Sequence, residues 1–209
     1  MGMRSQYLGN ISLLHALRVQ EEAYAEVVAG GTGLILGFEC AKTITLGRRA
    51  SKEVDLAHAQ ADLESKGFSL VNVDRGGQAT LHNLGQLVVF PVVGVREIGA
   101  RAWICTLAKA TRDCLAHFGQ VSHWDEARPG VYTDKGKIAA VGVRIRNGVS
   151  THGVAINVRN SLSDFSAIRA CGIRAAELDQ LGGEVPLPDI FASWMEHFRN
   201  QWGQIAPRC

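Results

Sequence analysis

The sequence contains few cysteines and few prolines, and its charges nearly cancel. Five cysteines and five prolines occur among 209 residues, and 22 basic residues face 20 acidic ones, for a formal charge of +2. Neither a Cys-x-x-Cys nor a His-x-x-x-His pair occurs, so no metal site is predicted. An odd number of widely spaced cysteines argues against a disulfide framework. Because no basic cluster exceeds pairs such as Arg48-Arg49, a nucleic-acid partner is not expected.

Long apolar segments are missing as well. No window approaches the about 18 uninterrupted apolar residues of a membrane span, and the N-terminus has no apolar stretch of signal-peptide type. We therefore predict no membrane partner and a cytoplasmic location. The 46% hydrophobic and 20% charged residues are ordinary for a globular protein. Since no repeat or linker divides the chain, residues 1–209 are predicted to form a single domain.

Hydrophobic periodicity predicts four helices and a series of short strands. The predicted helices cover residues 12–29, 53–66, 97–117 and 187–202, and the predicted strands cover 34–40, 43–46, 68–73, 87–93, 131–132, 137–146 and 154–158. Strands 34–40 and 43–46 are interpreted as a hairpin that turns at Ala41-Lys42, and residues 74–86 as a polar loop. Intermixed elements of this kind favour an α+β domain with a mixed, largely antiparallel sheet.

The loop Arg75-Gly76-Gly77 has the composition of a ligand-binding segment. Paired glycines let backbone N–H groups approach a ligand closely, and an arginine can hold an anion or a carbonyl group. The alternative is a simple tight turn. It is not a Walker loop, because no Gly-Lys-Ser/Thr follows, and its glycine spacing is not that of a dinucleotide fingerprint.

A lysine and a cysteine mark two further segments. Lys137 opens a nearly continuous apolar strand, where its ammonium group either reaches into water or faces a cleft with its charge partly desolvated. Cys171 precedes Gly172 at the start of a short predicted helical stretch, a setting in which thiols become more acidic. The alternative for Cys171 is a buried turn cysteine.

Together with other motifs, these segments form an ordered set that resembles the lipoyl(octanoyl) transferases, a branch of the superfamily of lipoate- and biotin-protein ligases. In chain order, the motifs are Arg75-Gly-Gly-Gln-Ala-Thr-Leu-His82, Gly85-Gln86-Leu87, Pro91, Pro129-Gly130-Val131-Tyr132, Lys137-Ile138, Gly142-Val143-Arg144-Ile145, His152-Gly153, Asn157-Val158, Leu162-Ser163, Phe165 and Cys171-Gly172-Ile173. They keep the order and approximate spacing of that family. A set of this length is highly specific.

The resemblance implies a single α+β domain of biotin/lipoate-protein ligase type. The sequence gives no sign of a bound cofactor, and none is predicted. It implies that Cys171 accepts the acyl chain as a thioester and that Lys137 completes a Cys/Lys dyad. The residues implied to line the acyl and acyl-carrier site are Arg75, Gly76, Gly77, Gln78, Ala79, Thr80, Leu81, His82, Ala140, Val141, Gly142, Gly153, Val154 and Ala155. The implied donor is octanoyl-acyl carrier protein. The implied acceptors are lipoyl domains of 2-oxoacid dehydrogenase complexes and the glycine cleavage H protein.

The chain departs from the family pattern at two places. The family usually has Gly-Pro where this chain has Asn83-Leu84, and a proline before the catalytic cysteine where Ala170 stands. Asparagine tolerates positive φ better than most residues, whereas loss of a proline removes a fixed φ. Neither change removes a reacting atom, so both bear on rate and chain-length preference more than on the reaction.

The implied reaction carries an acyl group from a thioester to an amine and does not need ATP. An ammonium group about 4 Å from the Cys171 sulfur would favour the thiolate by up to roughly 4 kcal/mol at an effective dielectric near 20. Lys137 would later act as general base, and backbone N–H groups near Gly76-Gly77 or at Gly142 are expected to hold the oxyanion.

Three other functions remain open from the sequence. An ATP-dependent lipoate or biotin ligase would use a longer Ser/Gly-rich loop and would not need a cysteine at position 171. An amidotransferase between two carrier domains would use a similar cysteine but a different donor. A non-catalytic binding protein for acyl carrier or lipoyl domains would retain its acyl ligand without transferring it.

Overall fold

The strands form two sheets. The computed structural model describes residues 3–169 and 178–205. Seven strands build the larger sheet: β1 (Met3–Asn10), β2 (Gly33–Glu39), β6 (Gln86–Gly94), β7 (His123–Asp125), β8 (Gly130–Tyr132), β9 (Lys137–Arg146) and β10 (Val149–Asn157). Their order in the sheet is β1-β2-β6-β10-β9-β8-β7. The smaller sheet has the order β4-β3-β5, with β3 (Thr43–Leu46), β4 (Ser69–Asn72) and β5 (Ala79–His82).

Both sheets combine one parallel pair with antiparallel pairs. In the described part of the chain, β1 pairs with β2 and β3 with β4 in parallel, and the remaining pairs are antiparallel. A parallel pair needs a crossover connection, and helices supply it in both cases. The α+β class with a mixed, largely antiparallel sheet is therefore confirmed.

Helices cover both faces of the larger sheet. The helices are α1 (Leu13–Val28), α2 (Lys52–Asp55), α3 (Gln60–Ser65), α4 (Ala100–His117) and α5 (Leu187–Ile205), with a 3-10 helix at Leu162–Ala167. Leu13 of α1 packs with Val88 of β6, whereas Trp103 of α4 and Trp194 of α5 pack with Val89. Successive strand residues face opposite sides, which explains the continuous apolar run of β6. No helix among the described residues has the length and apolar character needed to cross a bilayer.

The predictions for the three long helices are confirmed. Ser12 caps α1, and its hydroxyl accepts a hydrogen bond from the His15 N–H at 3.2 Å. α4 begins at Ala100 rather than at 97, because Gly99 has a φ of +79° and stands outside the helix. The closing helix continues to Ile205, three residues beyond its predicted end at Trp202.

The predicted hairpin of residues 34–40 and 43–46 is wrong. Both strands exist, but β2 pairs with β1 and β6 in the larger sheet, and β3 pairs with β4 and β5 in the smaller one. A two-residue hairpin turn favours Gly, Asn or Asp because it needs positive φ, and Ala41-Lys42 offers none of these. The segment Ala41-Lys42 instead connects a strand of the larger sheet to a strand of the smaller one.

Tertiary contacts also divide the helix predicted at 53–66. It forms two short helices, α2 and α3, because Leu56 makes a β-bridge with Ile168 and the Ala57 N–H donates to the Ala167 carbonyl at 3.0 Å. Likewise, the region predicted as a loop at 74–86 contains β5, which pairs with β3. In both places, a partner distant in sequence decides the local structure.

We predict that Thr111→Val destabilises the protein by about 1–3 kcal/mol. The buried Trp194 Nε1–H donates to the Thr111 hydroxyl at 3.0 Å, and valine would leave this N–H without an acceptor. Thr106→Val is the matched control, because Thr106 also lies on α4 but its hydroxyl donates only to the Ala102 carbonyl of its own helix. Urea denaturation measures both variants. Equal free energies of unfolding for the two would contradict the assignment.

Candidate active site

A cavity of about 890 Å³ lies between the larger sheet and the loop that precedes β5. It brings together the loop at Arg75, the strand that Lys137 opens and the strand that contains Gly153. The predicted substrate-binding residues on its walls are Arg75, Gly76, Gly77, Gln78, Ala79, Thr80, His82, Ala140, Val141, Gly142, Gly153, Val154 and Ala155, and Lys137 lines it too. Leu81 does not line the cavity, because it is fully buried in the core of the smaller sheet.

The floor of the cavity changes from polar to apolar along the strands. Gln86 of β6 is paired with Asn157 of β10, and next to them Ala155 is paired with Val88 on one side and Ala140 on the other. Directly paired residues project from the same face of a sheet. The floor is therefore polar at one end and has small apolar side chains in its centre.

Arg75 fixes the shape of the loop above this floor. Its Nη1 donates to the carbonyls of Gly76 at 3.0 Å and Gln78 at 2.8 Å, and its Nη2 donates to the Thr45 carbonyl at 3.0 Å and the Thr45 hydroxyl at 2.7 Å. The side chain is almost completely buried. The planar fork expected to hold a ligand thus binds the protein's own loop to β3.

The backbone of the loop is bound on both sides. The Gly76 N–H donates to the Val143 carbonyl of β9 at 3.1 Å, and the Gly77 carbonyl accepts from the Arg49 N–H at 3.1 Å. Of the amides expected to hold the oxyanion, near Gly76-Gly77 or at Gly142, that of Gly76 is thus already engaged. Gly77 has a φ of +93°, which glycine adopts without strain.

Lys137 is held at the end of β9 by the neighbouring strand. Its Nζ donates to the Pro129 carbonyl at 2.9 Å and lies 5.6 Å from the centroid of the Tyr132 ring. A Cβ atom at Gly130 would overlap the Lys137 side chain. The motif Pro129-Gly130-Val131-Tyr132 thus supplies an acceptor, the necessary space and an aromatic face for one ammonium group.

Cys171 lies outside the described residues, as do Ala170 and Gly172. The described chain ends before this segment at Arg169 and resumes at Leu178, and both of these residues line the cavity. Leu178 forms a parallel bridge with Lys137, and the Asp179 N–H donates to the Lys137 carbonyl at 3.0 Å. The chain therefore resumes at the backbone of Lys137.

His82 is buried at the polar end of the floor. Its Nδ1 lies 2.8 Å from Oε1 of Gln86. Burial lowers the pKa of His82 to about 4, and the positive charge of Arg75 acts in the same direction against the hydrogen bond with Gln86. The imidazole is therefore neutral at pH 7.

His152, which the sequence analysis did not place among the site residues, also lines the cavity. It has a φ of +56°, and its backbone N–H donates to Oε1 of Gln20 at 2.7 Å. Its Nε2 lies 2.8 Å from Asp74, whose second oxygen pairs with Arg144 at 2.9 Å. Burial lowers the pKa of His152 despite the carboxylate, so a neutral ring donates its N–H to Asp74.

The described side chains around the cavity do not include a metal site. Within residues 3–169 and 178–205, no group of three or more His, Cys, Asp or Glu side chains could hold a metal ion. Gln86 and Asn157 are functional candidates that the sequence analysis noted as family motifs without a role. Only their pairing across β6 and β10 reveals that Asn157 contacts Gln86, which in turn contacts His82.

The chain's relatives define its class. The family described as lipoyl protein ligase A/B catalytic domain matches residues 12–199. The chain is similar to the octanoyltransferase of Desulfovibrio desulfuricans, with 33% identity over 91% of this chain and 83% of the relative. It is also similar to the octanoyltransferase of Geobacter metallireducens, with 34% identity over 88% and 85% of the two chains.

Solved structures share the fold at lower identity. A lipoate-protein ligase A bound with ATP superposes with a TM-score of 0.84 and 16% identity, covering 97% of this chain and 86% of that one. A bipartite lipoate protein ligase from Thermoplasma acidophilum, whose structure was described together with its E2 lipoyl domain, has a TM-score of 0.77 and 16% identity, covering 97% and 84%. Taken with the sequence relatives, these findings show that the chain belongs to the octanoyltransferases of the lipoyl protein ligase A/B family.

We predict that Gly130→Ala reduces acyl-transfer activity by about 10- to 100-fold. The new methyl group displaces the ammonium of Lys137, which the family resemblance implies is catalytic, and small misplacements of such a group are costly. Gly94→Ala is the control, since a Cβ at this strand glycine meets open space. Transfer rates and thermal unfolding of both variants provide the measurement. Wild-type activity in Gly130→Ala would contradict the contact.

We also predict that His82 makes stability depend on pH. Because the folded pKa, about 4, is below the ordinary value of 6.5, the unfolded chain binds the extra proton first. The stabilisation is complete above pH 6.5 and is lost as pH falls towards 4. Between pH 7 and pH 5, wild type should lose about 2 kcal/mol more than His82→Gln. Urea denaturation at both pH values tests this, with the exposed His15→Gln expected to behave as wild type; a constant difference between wild type and His82→Gln would refute it.

Proposed function

We propose that this chain transfers an octanoyl group from acyl carrier protein to a specific lysine of lipoyl domains, the first step of protein lipoylation, through an acyl thioester on Cys171. Its membership of the octanoyltransferases makes it an acyltransferase. The observation that carries the finer proposal is that Lys137 and both flanks of residues 170–177 line the same cavity.

Covalent geometry supports a position of Cys171 close to that cavity. The Arg169 N–H donates to the Asp55 carbonyl at 2.7 Å, which fixes the last described residue before the segment. Consecutive Cα atoms are 3.8 Å apart, so the Cα atoms of residues 169 and 171 are separated by at most about 7.6 Å. The proposed nucleophile is therefore linked through one residue to Arg169, which lines the cavity.

The proposed chemistry has two half-reactions. The Cys171 thiolate attacks the carrier thioester, a new carbon–sulfur bond forms, and the phosphopantetheine thiolate leaves. The acceptor lysine amine then attacks the acyl carbon, the bond to Cys171 breaks, and the proton lost by the nitrogen passes by way of Lys137 to the departing sulfur. An ammonium group held by the Pro129 carbonyl suits this role, because its orientation is fixed before substrate arrives.

The cavity floor suits the hydrocarbon part of an acyl group. Val88, Ala140 and Ala155 form an apolar surface with little side-chain volume. Burying methylene groups there contributes about 0.8 kcal/mol each. The polar end at Gln86 and Asn157 lies beyond the apolar part and suits the reacting carbonyl.

The same proposal identifies the partners. We expect octanoyl-acyl carrier protein as donor, and lipoyl domains of 2-oxoacid dehydrogenase complexes and the glycine cleavage H protein as acceptors. The structural relative from Thermoplasma acidophilum was described with an E2 lipoyl domain, which supports an acceptor of this class. The cytoplasmic location and the single domain of residues 1–209 stay predictions.

ATP separates this proposal from a ligase. The two ligases of known structure named above are each 16% identical to this chain, whereas the two octanoyltransferases named above are 33% and 34% identical over most of both chains. We therefore expect transfer from the carrier thioester without ATP. Free octanoate with ATP should not be a substrate.

We predict that incubation with octanoyl-acyl carrier protein adds one octanoyl group to the wild-type chain, as seen by intact mass. Cys171→Ala should lose the adduct, and Lys137→Met should form it at least about 100-fold more slowly because proton transfer and thiolate formation are impaired. Cys105→Ser is the matched control, because Cys105 is an exposed free cysteine that does not line the cavity. An adduct that persists in Cys171→Ala, or a wild type that never forms one, would refute the covalent scheme.

A further inference from the structure

The proton on the His82 ring is located by its neighbour. Nε2 of Gln86 lies 3.2 Å from the Leu81 carbonyl and 3.0 Å from Oδ1 of Asn157. A carbonyl oxygen can only accept, so the amide nitrogen of Gln86 must face Leu81 and its oxygen must face the ring. Nδ1 of His82, 2.8 Å from that oxygen, therefore carries the proton. Nε2 is left as an acceptor.

Each amide behind Gln86 is oriented by its own backbone contact. Nδ2 of Asn157 donates to the Asp179 carbonyl at 3.1 Å, so its oxygen faces Gln86. Oδ1 of Asn160 accepts from the Val158 N–H at 3.2 Å, so its nitrogen faces Asn157 at 3.2 Å. These orientations do not depend on one another, and they agree.

The chain of amides ends at an ion pair. Asn160 donates to Oδ1 of Asn83 at 3.0 Å, and Asn83 donates to Oδ2 of Asp164 at 2.9 Å. The other oxygen of Asp164 accepts from Lys42 at 2.8 Å. Asn83 stands where the family usually has glycine, so this chain has added a fixed point to the network. We call the five residues Gln86, Asn157, Asn160, Asn83 and Asp164 the amide relay.

The free nitrogen of His82 is open to the cavity. Nε2 has no hydrogen-bond partner among the described residues. It is not fully enclosed by them either, and the ring lines the cavity. Burial, Arg75 and His152 lower the pKa of this ring, and the hydrogen bond with Gln86 raises it. The space beside Nε2 therefore suits a ligand group that donates a neutral N–H and disfavours a cationic group.

We propose that Nε2 of His82 accepts a hydrogen bond from the attacking amine of the acceptor lysine and is thus a catalytic residue of the second half-reaction. The inference rests on the proposed function. The amine must be neutral to attack, and it then carries N–H groups that need an oriented acceptor. One N–H of the amine stays hydrogen-bonded to Nε2 of His82 while the nitrogen–carbon bond forms and the carbon–sulfur bond breaks. The proton that leaves the nitrogen goes to the sulfur, and His82 remains neutral throughout.

The first experiment measures the tautomer and does not depend on activity. In full-length protein labelled with 15N-histidine, the His82 signals should show a protonated Nδ1 and a bare Nε2 from pH 6 to pH 8. His82→Phe identifies the signals among the seven histidines. A protonated Nε2, or titration near the ordinary pKa of 6.5, would overturn the proposal even if every variant were inactive.

The second experiment separates the half-reactions in single-turnover mode. His82→Phe keeps a planar ring without an acceptor, so transfer to an apo lipoyl domain should fall about 100-fold, and at least about 10-fold more than acylation by octanoyl-acyl carrier protein. His15→Phe, at an exposed position of α1, is the control. Equal loss in both steps, or loss in acylation alone, would overturn the role of His82. A wild type that forms no acyl-enzyme would instead refute the proposed function and leave the tautomer result to decide the state of His82.

Discussion

The buried guanidinium group of Arg75 is the interaction on which the rest of the site depends. It joins the loop to β3 of the smaller sheet through Thr45, while the Gly76 amide joins the same loop to β9 of the larger sheet. These contacts hold the two sheets apart at the width of the cavity. Burial is the main cause of the lowered pKa of both His82 and His152, and the positive charge of Arg75 acts in the same direction. One side chain therefore fixes the shape of the loop and contributes to the electrostatics of the site.

The site depends equally on side chains that are missing. At Gly130, a Cβ atom would collide with the Lys137 side chain, and at Gly153 it would overlap the Val89 carbonyl and come within 2.5 Å of Cδ of Pro91. Gly130 thus has a role in positioning an ammonium group, whereas Gly153 allows β10 to pack closely on β6. The family motifs combine residues that face a substrate with residues that only permit close packing, and the two kinds look alike in a sequence.

The sequence predicted the elements whose signal is local. Apolar spacing and Ser12 were enough for α1, and the continuous apolar run from Ile138 was enough for β9. Prediction was wrong where a partner distant in sequence decides the structure. The segments Leu34–Cys40 and Thr43–Leu46 were predicted to pair with each other but belong to different sheets. The cavity residues could be named through resemblance, but the proton on His82 could not. Its position depends on Gln86 and Asn157, which are separated by 71 residues and meet only through strand pairing.

Asn83 connects the loop after β5 to two other parts of the chain. Its side chain is bonded to Asp164, which in turn is bonded to Lys42, so three segments of the chain have become mutually dependent. A glycine at position 83 would leave Oδ2 of Asp164 without its amide donor and Asn160 without its acceptor on Asn83, while the ion pair of Asp164 with Lys42 would remain. A loop transplanted from a relative would therefore change the partners of two buried or partly buried side chains outside the loop.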